Sequence, residues 1–370
     1  MIKVLIVRSN SIIIGHTPRV NKIAKSLSKR YSVLVLGWNR EGVSEKLLMD
    51  YKPRLELFNL KAPLGKPSLI LYIPLFWVWI FFKLIRYRPE IVHGCDLDTV
   101  LPCYIYKKIF RKKFVFDICD RYAMSYVPTK FRMLYGLVNS IEEIFCKNAD
   151  FVITVSEKLM ASIRKKPKKY GIIMNCPEDD GSPIYVPRRK QQEGKLTIAY
   201  MGKIRKNRYL ENISIMLKDL YNVKVNTAGP IIDQDVFKLI QNTPNMKYNG
   251  VLQAKEALAL EGRCDAILAM YDPSLPEYSI SMPNKLFDSM MCGIPVITNI
   301  ASEIVKDTRC GISVDFSDDN QVMQTIINLR DNPALRQELG SNGRRAFVEK
   351  YNWASVEREL FNIYNYLYKL

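Results

Sequence analysis

The chain has 370 residues, 48% hydrophobic and 25% charged, enough for two or three packed domains and too apolar to stay disordered. Eight scattered cysteines without a CxxC pair, and only two histidines, His16 and His93, speak against a zinc site. They predict free thiols in a reducing, cytoplasmic compartment. The net charge of +18 belongs wholly to one half: residues 1–175 hold 31 Lys and Arg against 13 Asp and Glu, and residues 176–370 hold 24 against 24. Such an asymmetry predicts that the first half faces something anionic, a membrane leaflet, a lipid phosphate or nucleic acid.

In chain order, residues 3–8 form an apolar strand run with no leader before it. A loop at 9–18 contains Gly15. A helix follows over 19–29, with Val20, Ile23, Ala24 and Leu27 on one face, then a strand over 32–37. Between Lys66 and Lys83 lie 16 residues without a charge, PSLILYIPLFWVWIFF, interrupted by Pro74. A membrane span needs about 20 apolar residues, so a transmembrane helix is rejected. Two readings remain: a buried helix on the first sheet, or a helix partly sunk in a bilayer surface. In the second, Tyr72, Trp77 and Trp79 sit at headgroup level and Lys83, Arg86 and Arg88 face lipid phosphates; the basic first half favours it. Further strands are predicted at 90–93, 114–117 and 151–155.

Residues 176–194 are rich in Pro, Gly and charge and read as a linker. The pattern restarts with strands at 196–202, 223–229, 247–251, 265–271 and 295–299. A terminal helix over 353–368 turns Val356, Leu360, Ile363, Tyr364 and Leu367 to one side. Uninterrupted apolar strands alternating with helices predict parallel sheets covered on both faces. The fold class is therefore α/β, with two Rossmann-like domains facing across a cleft. The predicted boundaries are 1–177 for the first domain, 178–352 for the second, and 353–370 for a helix packing back on the first.

Two stretches carry the chemistry. Residues 281–297 read SMPNKLFDSMMCGIPVI. Pro283 and Asn284 start a helix, Lys285 lies in its first turn, and Gly293 stops it. Asp288 is one turn in. A positive helix end with a cation and a nearby carboxylate suits a nucleotide, phosphate at the helix end and ribose hydroxyls at Asp288. Residues 202–208 begin with Gly202 and place four cations, Lys203, Arg205, Lys206 and Arg208, just beyond a strand, where a diphosphate could be neutralised.

With these residues in view, the chain resembles a family-4 retaining glycosyltransferase of the GT-B architecture. Residues 202–208 resemble its GR(x4)K diphosphate motif with Lys and Arg exchanged. TAGP at 227–230, PEIVHGCD at 89–96, ADFVITVS at 149–156 and IMNCPED at 173–179 resemble further family motifs, and 283–297 its P-(N/S)-K-L-F-E pattern. Asp288 stands where the family has Glu, and Ile280 stands where many members carry another Glu. The resemblance implies that Lys203, Arg208, Asn284, Lys285 and Asp288 hold the donor and that Gly15 lets backbone approach its sugar and phosphate. It also implies retention and no obligatory metal or cofactor. Asp120, in the FDICD run at 116–120, matches the last Asp of an (F/Y)D(x)RD pattern and is the candidate catalytic carboxylate at the acceptor hydroxyl or donor sugar.

The expected partners are thus a nucleoside-diphosphate sugar, a lipid-linked or cell-surface saccharide acceptor, and an anionic surface on the inner face of the plasma membrane. No nucleic-acid-binding motif appears. A nucleotide-sugar epimerase of the same fold and a non-catalytic basic binding protein are the alternatives.

Overall fold

The computed structural model describes residues 2–9, 18–40, 42, 53–63, 67–128, 130–179 and 193–369. Gly15 and most of the linker, 180–192, lie outside them. The chain divides into two units: Met1–Asn175 with Glu357–Leu370, and Cys176–Val356.

Unit 1 is built on seven strands: β1 (Val4–Arg8), β2 (Val33–Trp38), β3 (Arg54–Phe58), β4 (Ile91–Cys95), β5 (Lys113–Ile118), β6 (Phe151–Thr154) and β7 (Tyr170–Ile172). All pair in parallel, in the order β3-β2-β1-β4-β5-β6-β7. The register puts Ile6 between Val35 and His93. Every residue of β1, β2 and β4 is buried, as expected of apolar runs covered on both faces. The last helix, Trp353–Lys369, contributes its later turns to this unit: Tyr364 Oη lies 2.7 Å from His93 Nδ1, and Tyr368 stacks on Tyr31.

Unit 2 has six strands: β8 (Leu196–Met201), β9 (Val223–Ala228), β10 (Met246–Tyr248), β11 (Ala266–Ala269), β12 (Val296–Thr298) and β13 (Gly311–Ser313). They too are parallel, in the order β10-β9-β8-β11-β12-β13. The two sheets therefore share one strand order. In each the direction of winding reverses beside the first strand, at β1/β4 and at β8/β11, where open α/β sheets bind ligands beyond the carboxyl ends. β3, β7 and β13 were not expected. They are edge strands of five, three and three residues, and β3 (RLELF) and β7 are exposed at their first residues.

The uncharged run at 67–82 becomes a 3-10 turn, Pro67–Leu71, and a helix, Ile73–Tyr87. Pro74 opens this helix rather than interrupting it, because a first-turn N–H has no intrahelical partner to lose. Phe76, Ile80 and Leu84 are buried. Trp77 donates its indole N–H to Asp98 O at 2.8 Å, and Trp79 packs on Phe58 and Phe76. The two tryptophans thus turn towards the protein rather than to a headgroup layer. The outward residues are Leu71, Leu75, Val78, Phe82 and Ile85.

Candidate functional site

In unit 2 the loop after β8 is held against the loop after β9. Gly202 N–H donates to Ala228 O at 2.8 Å, and a Cβ on Gly229 would stand 2.1 Å from Gly202 O. Only glycine fits at 229, where φ is +133°. Further along, Tyr200 donates its hydroxyl to Lys203 O, and Lys206 N–H donates to Asp233. Lys203 itself is exposed.

Arg208 turns inward. Its guanidinium lies 4.3 Å from the ring centre of Tyr271 and 4.4 Å from that of Tyr278. Tyr271 follows β11 and is clamped by Asn299, which exchanges two hydrogen bonds with its backbone. Tyr278 comes from the short helix Pro276–Ile280.

The helix Asn284–Cys292 begins after Pro283 and ends at Gly293, whose φ of +66° lets Ile294 N–H reach back to Ser289 O. Asn284, its first residue, is exposed. Lys285 is buried, with Nζ 4.8 Å from the Tyr200 ring centre and 5.7 Å from that of Tyr271. A Cβ on Gly202 would stand 3.0 Å from this Nζ. Burial works against the Lys285 charge, but Tyr271, Tyr200 and Glu261 outweigh it and its pKa is raised despite the repulsion of Arg208. Two cations from separate motifs, the buried Lys285 and the half-buried Arg208, therefore face one tyrosine, Tyr271.

Asp288, half-buried, has a neighbour that the sequence did not suggest. Glu261 ends the helix Ala254–Glu261 and is 2% exposed, with one carboxyl oxygen lacking a hydrogen-bond partner. Burial first, and Asp288 second, push its carboxyl well above the usual carboxylate range. Arg205 Nε and Arg208 Nη1 are likewise buried without a partner. Buried donors of this kind are expensive unless something else satisfies them.

Residues 205–362 match the family model described as glycosyl transferase-like. The chain is 22% identical to an uncharacterized glycosyltransferase of Methanocaldococcus jannaschii over 315 residues, 79% of each protein. It is 22% identical to a capsular polysaccharide biosynthesis glycosyltransferase of Staphylococcus aureus over 256 residues, 62% of this chain and 65% of that one. Among solved structures, Anabaena HepE in complex with UDP-glucose superposes over 99% of this chain and 100% of that one, with a TM-score of 0.74 and 14% identity. The chain is a glycosyltransferase with the GT-B fold.

In this glycosyltransferase, Arg208 and Lys285 come together, Asp288 lies with Glu261 beside them, and Lys203 and Asn284 stand at the exposed ends of the same elements. In unit 1, Asp120 is exposed in the turn after β5. The buried polar groups of that sheet edge are different ones: Arg8 with Asp96 at 2.5 Å, Arg19 with Asp117 at 2.7 Å, and Arg40 with Asp98 at 3.7 Å. Asp117 also lies 3.3 Å from His93 Nε2, so His93, Cys95 and Asp117, whose ligand atoms fall within 4.8 Å, are largely engaged by Arg19 and Tyr364. Burial opposes the Asp117 charge, but Arg19 and His93 prevail and hold its carboxyl well below the usual range. Asp98 goes the other way: burial and then Asp96 push it up to about 6. Of these groups, His93, Cys95 and Asp96 lay in the quoted 89–96 motif and Asp117 in the 116–120 run, whereas Arg8, Arg19, Arg40 and Asp98 lay in none. Nothing in local spacing marks Asp98 or Arg40, which meet because β2 and β4 flank β1.

Proposed function

We propose that this glycosyltransferase takes its sugar from a nucleoside diphosphate bound on unit 2 and transfers it, with retention at the anomeric carbon, to a saccharide or lipid-linked acceptor on unit 1. The observation that carries the donor reading is the convergence of Arg208 and Lys285 on Tyr271, with guanidinium N–H groups left unanswered. Two like charges held this close call for an anion, and a diphosphate supplies several acceptor oxygens. The binding of UDP-glucose by HepE supports the same reading.

In this mechanism Lys203, Arg208 and Lys285 stabilise the negative charge that grows on the leaving diphosphate as the anomeric C–O bond breaks. The N–H groups around Asn284 add to that field. Asp288 holds the ribose, with the buried Glu261 beside it. Asp120 orients the acceptor hydroxyl or accepts its proton as the new glycosidic bond forms. The capsular polysaccharide relative supports a saccharide acceptor.

The reaction is further proposed to run at an anionic membrane surface. No helix among the described residues is long and apolar enough to cross a membrane. The helices Ile73–Tyr87, Leu97–Phe110 and Arg132–Asn148 pack in sequence as one layer. Their outer side exposes Leu75, Val78 and Phe82 on the first, Ile109 on the second, and Leu134, Leu137 and Ile144 on the third. Their only carboxylates, Asp98, Glu142 and Glu143, are buried, whereas Arg86, Lys108, Arg132 and Lys147 are exposed. An apolar face edged by cations suits an anionic leaflet, and its like charges oppose pairing with a second copy.

Titration calorimetry with UDP, GDP and ADP, followed by transfer assays with the matching sugars, tests the donor. The double variant K203A/R208A is expected to lose both binding and transfer; full transfer by that variant would falsify the site. An anomeric NMR assignment of the product showing inversion would remove the retaining mechanism, and sugar epimerisation without acceptor would replace it.

A further inference from the structure

The sheet edge of unit 1 holds a cluster that donor binding does not use. It lies beyond the carboxyl ends of β1, β2 and β4, at this sheet's own reversal of winding. Arg8 and Ser9 follow β1, Arg40 follows β2, and Asp96 and Asp98 follow β4. Ser9 donates its hydroxyl to Asp98, and Arg8 pairs with Asp96. Yet four buried polar atoms here have no hydrogen-bond partner among the described residues: Arg8 Nε, Arg40 Nε, Arg40 Nη2 and Asp98 Oδ1. The side chains of Arg40 and Asp98 are more than nine-tenths buried, at 4% and 8% exposure, and that of Arg8 is 11% exposed. The donor cluster of unit 2 carries the same mark at Arg205, Arg208 and Glu261.

We propose that this cluster is a saccharide subsite, in which Arg40 and Asp98 hold hydroxyls of one sugar ring and Tyr126 covers its face. The chemistry of the unanswered atoms selects the ligand. Guanidinium N–H groups and a carboxyl oxygen stand side by side, with Arg40 Nη2 and Asp98 Oδ2 3.7 Å apart. A hydroxyl answers both, accepting from Arg40 and donating to Asp98. A phosphate or carboxylate would satisfy the arginines but meet Asp96 and Asp98, and a metal cation would meet Arg8 and Arg40. The platform is aromatic: Tyr122 and Tyr126 pack with ring centres 4.6 Å apart, Tyr126 is 58% exposed, and the field of both reaches Arg40. Arg40 is itself fixed over the Trp38 ring at 4.7 Å. Sugars combine hydroxyl pairs with apolar ring faces, which is the combination this cluster presents.

The inference deepens the acceptor reading above, and its test separates the two. Saturation-transfer NMR on the full chain, with glucose, galactose, mannose and N-acetylglucosamine as free probes at millimolar concentration, reports sugar contact. Calorimetry with UDP reports the donor site and the integrity of the fold. Wild type is expected to bind at least one sugar. Arg40→Gln and Asp98→Asn should each weaken it roughly tenfold, the loss of one charge-assisted hydrogen bond, with UDP affinity unchanged. Tyr126→Ala, at an exposed side chain, should weaken the same sugar if either buried variant fails to fold. Equal sugar binding by wild type and the variants overturns the subsite, as does a wild type that binds none of the four, or one that binds only inorganic phosphate there. Variant-sensitive sugar binding by a chain that ignores UDP supports the subsite and sinks the donor reading.

Discussion

The two sheets of this glycosyltransferase have the same strand order and opposite ways of handling buried charge. At the edge of unit 1, cations and carboxylates come in pairs: Arg8 with Asp96, Arg19 with Asp117, and Arg121 with Glu142 at 2.5 Å. At the edge of unit 2, Arg208 and Lys285 rest on tyrosine rings instead. A paired charge has already recovered most of its desolvation cost, and breaking the pair leaves an uncompensated ion. A cation over a ring recovers less and keeps its N–H groups for a ligand. The difference teaches that one backbone plan can hold mostly paired charges in unit 1 and, in the proposed donor site of unit 2, cations left open to an anion, according to what faces each cation.

The sharpest way to break that comparison is Asp117→Asn. It strips Arg19 of its charge partner in a fully buried place, so unit 1 should lose about 3–5 kcal/mol in urea denaturation. A loss below about 1 kcal/mol would mean that the pair is not structural. Next is Arg208→Ala. Transfer should fall about 10²–10³-fold, the usual cost of removing one group that stabilises developing negative charge. Its urea midpoint should move little, because among the described residues the guanidinium rests on the Tyr271 and Tyr278 rings and not on a carboxylate.

Smaller effects belong to the outer face of unit 1. Phe82→Glu and Leu137→Glu should each weaken binding to anionic vesicles at least about tenfold, since burying such a side chain is worth about 1.5–3 kcal/mol. UDP affinity should not change, and unaltered co-sedimentation would remove this face from the membrane proposal. The smallest effect is a pair of opposing pH slopes. Asp98 has its carboxyl raised to about 6, so the folded chain holds that proton more tightly. Its contribution to stability is present at low pH and is lost as pH rises from about 4 through 6. Asp117 is depressed, so its contribution is present above the usual carboxylate range and is lost as pH falls through it. Asp98→Asn should remove the first slope and leave the second; persistence of both would assign the first to another group.

Much of this protein is written locally. Apolar runs such as VLIV and FVFD need both faces covered, so alternating strands and helices were legible, as were the start at Pro283 and the stop at Gly293, because these signals act on neighbouring backbone hydrogen bonds. The three-residue β7 and β13 were not legible, since so short a run has no period to detect. In the helix Ile73–Tyr87, Phe76, Ile80 and Leu84 are core while Leu75, Val78 and Phe82 are surface, and hydropathy alone could not divide these apolar residues. Among the site residues, the sequence marked Arg208 and Lys285 as cations of two separate motifs. That both face Tyr271, that Glu261 stands beside Asp288, and that Arg40 meets Asp98 are products of strand order. Parallel crossovers bring together chain ends tens of residues apart, and no local pattern encodes which side chains they deliver to one edge.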